Sequence, residues 1–223
     1  MEKFEISGFG TVVEHVGPYG KGVAAVKAAG LEVMIAEQLA AARINAGPKH
    51  SVSVAGSWTG NDFVYWPDGF IAVTLPPYGP VLNNAGGAIK AHHSGKEFYP
   101  DKKFADELRQ RAVRDPAAAR DRGVLALPRS EVRSVVPVGE LAQYSLTVFL
   151  FGDVASRYGS FLQENNIGSV PVFVIGADYA KRQDQNFGCA LLVHDLSGRS
   201  GLDGGYSDLH SDSGRVRGVN MPF

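Results

Sequence analysis

The chain has 223 residues, 44% of them hydrophobic, with 22 Lys+Arg against 23 Asp+Glu and a formal charge of -1. That much apolar material can fill a core and excludes disorder throughout, and the balanced charge supplies no net field toward nucleic acid or an anionic membrane. The longest apolar run, residues 146–151, is far short of the roughly 20 residues a membrane-spanning helix needs, and the start MEKFEIS has neither the charged nor the apolar region of an export signal. The single cysteine, Cys189, stands in the apolar run 187–193. It can form neither an internal disulfide nor a cysteine-based metal site, so a buried, inert thiol in a reducing compartment is expected.

Residues 3–6 read as a short strand or extended arm ahead of Gly8 and Gly10, and Gly17, Pro18 and Gly20 then break the chain. From Gly22 the run GVAAVKAAGLEVMIAEQLAAARINAG is dense in helix formers, with Leu31, Met34, Ile35, Leu39 and Ala42 on one face. This predicts one long helix over 22–46, stopped by Asn45, Gly47 and Pro48. Gly30 inside it costs about 1 kcal/mol relative to alanine, and it either kinks the helix, admits a neighbouring backbone or is simply tolerated.

Alternation over 51–55 predicts a strand, and Pro67-Asp68-Gly69 predicts a hairpin turn between strands at 61–66 and 70–75. Ile71, Val73 and Leu75 share a core face, leaving Phe70, Ala72 and Thr74 on a mixed one. Prolines and glycines at 76, 77, 79, 80, 86, 87 and 95 predict a long loop over 76–100. A helix over 101–114 follows, capped by Asp101 with Phe104, Leu108 and Ala112 inward, then a helical turn from Asp115-Pro116 to Gly123.

In the last third, strands are predicted at 132–138, 144–151, 170–175 and 190–194, with a helix over 154–165 that turns Val154, Tyr158, Phe161 and Leu162 inward. From Ser197 onward Gly, Ser, Asp and Arg predominate, which predicts a flexible C-terminal arm over 197–223. The pattern is neither strict βαβα alternation nor all-β. The expected fold class is therefore α+β, a largely antiparallel sheet packed against one long and several shorter helices, in a single domain over 1–196.

Chemistry is sparse. His92-His93 in a glycine-flanked segment could bind a metal, but no HxH, HExxH or carboxylate cluster accompanies them, so a solvated loop is expected. His194-Asp195 ends a predicted strand without a GxSxG nucleophile elbow. Asp203, Asp208, His210 and Asp212 resemble a calcium loop in spacing but lack the DxDxDG order and the closing Glu. The glycines at 8–10 and 17–22 fit no phosphate-binding motif. Arg109, Arg111, Arg114, Arg120, Arg122, Arg129 and Arg133 form a basic region that Asp106, Glu107, Asp115 and Asp121 balance, as on a salt-bridged surface. Trp58, Tyr65, Trp66, Tyr78 and Tyr99 gather near the hairpin and suit a protein interface in part and a core in part. No catalytic, cofactor or metal residue is assigned, and no enzymatic activity is expected.

One similarity runs through Phe4, Ile6, Gly8, the helical run 23–46, Pro48 and residues 51–54. Over this first quarter the chain resembles the tail-completion and head-tail joining (neck) proteins of tailed bacteriophages. It departs from them after Pro48, where Lys49-His50-Ser51-Val52 stands in place of a Thr-Gly-x-Leu segment. The resemblance implies a virion structural protein made in the host cytoplasm, self-associating into a ring and contacting other virion proteins, with no cofactor and no membrane or sequence-specific nucleic-acid partner. The alternative expectation is a small-molecule hydrolase or metal-dependent enzyme using His194 and Asp195, with His92 or His93.

Overall fold

The structure, a computed structural model of the chain, describes residues 1–196, 200–205 and 209–220. It opens with a hairpin of β1 (Glu2–Ile6) and β2 (Gly10–Val16). The single helix expected over 22–46 is two helices, α1 (Tyr19–Ala28) and α2 (Ala36–Ala46), separated by a two-residue strand, β3 (Glu32–Val33). Gly30, at φ 72, takes the left-handed conformation that ends a helix, and the released backbone pairs with the sheet, Glu32 opposite Val219 and Val33 opposite Gly218. The start of α2 is pinned by side chains: Asn61 Oδ1 accepts from the Ala36 N–H at 2.8 Å and Gln38 Oε1 from the Ile35 N–H at 3.0 Å.

The strand expected over 51–55 is instead a helical turn, α3 (Ser51–Val54). Arg43, wholly buried, draws the chain into it by donating Nε to the Val52 carbonyl at 3.0 Å and Nη2 to the Ala55 carbonyl at 3.4 Å. The predicted hairpin is present as β4 (Ser57–Tyr65) and β5 (Phe70–Thr74), with Asp68 Oδ1 in the turn accepting from the Phe70 N–H. A strand not predicted, β6 (Val124–Pro128), extends it beyond β5.

The loop expected over 76–100 contains two helices, α4 (Pro80–Asn83) and α5 (Ala85–His93). Pro80 occupies a first helical position, where its missing N–H is no loss, and the Asn84 side chain caps α5 by accepting from the Gly87 N–H at 3.1 Å. Next come α6 (Lys102–Arg111), capped by Asp101, and α7 (Pro116–Arg122), capped by Asp115 and closed by Gly123. Ala105 and Leu108 of α6 cover Val64, Trp66 and Ala72, so the mixed face of the hairpin is buried as well.

Residues 145–151 form a helix, α8 (Ser145–Phe151), not a strand. Leu146, Thr147, Phe149, Leu150 and Phe151 are all buried, and a helix enclosed on most sides shows no periodic pattern. The strand expected over 132–138 shrinks to β7 (Val135–Pro137). Then come α9 (Ala155–Glu164), β8 (Ser169–Phe173), α10 (Ala177–Lys181) and β9 (Phe187–Val193).

The largest correction concerns the expected C-terminal arm. Its described residues carry β10 (Leu202–Asp203) and β11 (Arg215–Val219), and β11 lies inside the sheet, whose order is β1-β2-β11-β4-β9-β10-β8-β7. Residues 197–199, 206–208 and 221–223 lie outside the described set. Polar composition misleads here because the partners are far away in sequence: the buried Arg217 guanidinium meets the buried Glu14 carboxylate of β2 at 2.5 Å and donates to the Ser51 carbonyl at 3.2 Å. Burial still pulls the Arg217 pKa down to about 10, with Glu14 opposing that shift.

The result is an α+β fold with a largely antiparallel sheet, covered on both faces. Residues of β9 divide accordingly. Phe187, Cys189, Leu191 and Val193 join the cluster under α2, α8 and α9, whereas Ala190 and Leu192 join Tyr19, Trp58, Val81 and Val216 under α1, α4 and α5.

Candidate functional site

A cavity of about 220 Å³ lies beside β9, walled by Ala88 and His92 of α5, by Lys96, Glu97 and Phe98, by Tyr179 of α10, and by Gly205 and Leu209. The strand explains its position. β4 pairs one edge of β9, while on the other β10 pairs Leu192 and Val193 and Phe98 bridges Gly188, leaving that edge unpaired at 189–191. Alternate peptide groups point out of this edge: Gly188 N–H donates to the Phe98 carbonyl at 2.9 Å and His194 N–H to the Gly201 carbonyl at 2.8 Å. By the same alternation Ala190 and Leu192 also present their peptide groups to this edge; Leu192 is paired with Asp203 of β10, so the group left facing the cavity is that of Ala190, which lines it.

The walls are fixed from behind. The Phe98 bridge to Gly188 ties residues 96–98 to the sheet, and the Tyr179 hydroxyl donates to Glu97 Oε1 at 2.6 Å, fixing one rim carboxylate against α10. α4, which leads into α5, is held by Asp62: its Oδ2 accepts from the N–H groups of Val81 at 2.7 Å and Leu82 at 3.0 Å. Burial pushes the Asp62 carboxyl from 3.8 up to about 7 against the opposing effect of those two bonds. Burial likewise raises the Cys189 thiol well above its ordinary value, with Glu97 and Asp62 adding to the rise. Cys189 is thus a neutral thiol in a chemically quiet wall.

The histidines and carboxylates singled out in the sequence separate into two places. His92 and His93 meet His210, with ring centroids 4.5 and 3.5 Å apart, and His92 lines the cavity. The segment carrying them is helical rather than a solvated loop. His194 sits 3.7 Å from Asp203 and against the Phe173 ring, while Asp195 lines a different cleft with Trp58 and Arg215. Asp203 caps its own turn by accepting from the Gly205 N–H, Asp212 is exposed, and Asp208 lies outside the described residues. Among the described residues no group of three or more His, Cys, Asp and Glu side chains is placed to hold a metal ion, and no helix is long and apolar enough to cross a membrane.

Of the aromatics near the hairpin, Trp58, Tyr65 and Trp66 are core residues, and Tyr99 is exposed. The basic region is largely salt-bridged, but through distant acids: Arg109 with Asp68, Arg114 with Glu131, Arg120 with Glu37 and Arg133 with Glu140. Sequence reasoning reached His92 and missed Lys96, Glu97, Phe98 and Tyr179. The available signal was the mixed charged and aromatic stretch Lys96-Glu97-Phe98-Tyr99 between Gly95 and Pro100.

No family model matches the chain, and no curated protein does. A solved structure described as "Accommodation of massive sequence variation in Nanoarchaeota by the C-type lectin fold" is similar to it, with a TM-score of 0.65 and 15% identity, over 94% of this chain and 96% of that one. At that identity the likeness shows the fold, which is the C-type lectin fold. It overturns the resemblance to phage neck and tail-completion proteins. The long helix on which that resemblance rested is interrupted by a strand, and the fold over nearly the whole chain is that of a different class. The expected virion role and ring assembly fall with it.

Proposed function

We propose that this chain is a binding module without catalytic activity, and that it recognises a protein partner by taking one apolar or aromatic side chain into the cavity beside β9. The observation that carries this reading is the cavity's size and place. At about 220 Å³ it is smaller than the roughly 300–1,000 Å³ of sites that enclose whole small-molecule ligands, and it lies at an open strand edge where a peptide group can add a hydrogen bond. Ala88, Phe98 and Leu209 supply an apolar interior, and His92, Lys96 and Glu97 supply a polar rim. An apolar pocket inside a polar rim is the usual setting of an anchoring residue.

The fold supports the same reading. The nanoarchaeal structure is described as accommodating massive sequence variation, and in this chain the rim residues lie off the central strands. Their identities can therefore change with little effect on the sheet.

Selection of a displayed random-peptide library on the immobilised protein tests the proposal. Selected peptides are expected to share one large apolar or aromatic residue, to be displaced by free indole, and to lose binding to Ala88→Leu, which narrows the cavity. Circular dichroism confirms that the variant is folded. Peptides that bind Ala88→Leu as well as the wild type would reject the site.

A further inference from the structure

The basic segment between Arg109 and Arg133 holds a second cleft with its own chemistry. Four of its arginines are neutralised by the carboxylates named above, and Arg129 donates Nε to the Ile175 carbonyl at 2.9 Å. Arg111 and Arg122 remain: among the described residues neither has a carboxylate within ion-pairing distance, and both line one cleft of about 540 Å³ between α6 and the end of α7. One acid, Glu107, stands in that lining, with the Lys103 ammonium 4.0 Å from its carboxylate.

The cleft is also built rather than incidental. Its floor is Tyr78 with Phe104 and Leu108. The Tyr78 ring has two close neighbours: a Cβ on Gly123 would stand 2.4 Å from its edge carbons, and the Arg111 guanidinium lies 4.3 Å from its centroid. Arg111 Nη1 also donates to the Arg122 carbonyl at 3.4 Å, which links the two cationic residues. A volume of about 540 Å³ falls within the range of small-molecule sites. An apolar, aromatic floor beside two uncompensated guanidinium groups is complementary to a flat or apolar body carrying one anionic head.

We propose that this cleft is a second binding site, separate from the cavity beside β9, for a small amphipathic anion whose phosphate or carboxylate is held by Arg111 and Arg122 and whose body packs on Tyr78, Phe104 and Leu108. Calorimetric titration of the full chain with 1-naphthyl phosphate, 1-naphthoate and neutral 1-naphthol tests it. Saturable binding of at least one anion is expected, at least about tenfold tighter than 1-naphthol, with the stronger anion identifying the preferred head group. Arg111→Gln and Arg122→Gln each weaken that anion about tenfold, and the double variant removes binding. Both side chains are exposed, so the variants are expected to melt with the wild type, and raised salt weakens the interaction. Ala88→Leu leaves it unchanged. The proposal is overturned if neither anion saturates, if 1-naphthol binds equally well, if the double arginine variant binds as the wild type does, or if Ala88→Leu abolishes binding and so assigns the probe to the other cavity.

Discussion

Asp62 couples the scaffold behind the β9 cavity to pH. It is wholly buried, holds α4 through two backbone N–H groups, and keeps its proton until about pH 7, whereas an ordinary aspartate loses it near 3.8. In that interval the folded state binds the proton and the unfolded state does not. The stability contributed by protonated Asp62 is therefore full below about pH 4 and is lost as pH rises through 7, a change of roughly 4 kcal/mol. Asp62→Asn keeps an acceptor for Val81 and Leu82 and removes the titration. Urea unfolding at a series of pH values is expected to show wild-type stability declining relative to Asp62→Asn between about pH 4 and pH 8. A difference between the two proteins that does not vary with pH would disprove the linkage. The sequence gives no hint of this behaviour, because a strand aspartate looks the same whether its face is wet or covered.

Among elements, α1 lies close against β11. A Cβ on Gly22 would lie 2.5 Å from Val216 Cγ2 and 2.6 Å from Val216 Cβ, so the helix rests on the strand only because position 22 has no side chain. Gly22→Ala is expected to destabilise the protein by about 1–3 kcal/mol, and Val216→Ala in the same chain to recover part of the loss, as measured by denaturant titration of the single and double variants. This packing also marks where the sequence stops being informative. The hairpin turn, the Asp101 cap, the helix start at Asp115-Pro116 and the stop at Gly123 were legible because each is set by neighbours within four residues. Helix α8 was not, since burial on most sides erases its period. β11 was not, since its arginines and glycine suit a strand only beside Glu14 and α1. The cavity was legible only at His92 and Cys189, because its lining comes from segments far apart in the chain.

At the scale of the whole molecule, the C-type lectin fold places a strand from each end of the chain at the middle of one sheet, β2 against β11 and β11 against β4. A chain ending at residue 209 lacks β11, which leaves β2 and β4 without their shared neighbour and Glu14 without Arg217. Such a chain is expected to lose near-ultraviolet circular dichroism and resistance to proteolysis, and a synthetic peptide of residues 210–220 to restore both in part.

The pairing of β2 with β11 also has a consequence for synthesis. Arg215 and Glu14, neighbours in the folded sheet, are 201 positions apart, and at about 5–20 residues per second the ribosome needs roughly 10–40 s to span that interval. Through that time the first hairpin is outside the ribosome with one edge unpaired. The nascent chain must be kept from pairing with other chains until its own late strand is made, so factors that shield nascent β-edges are expected to raise the yield of this protein more than its modest size would suggest.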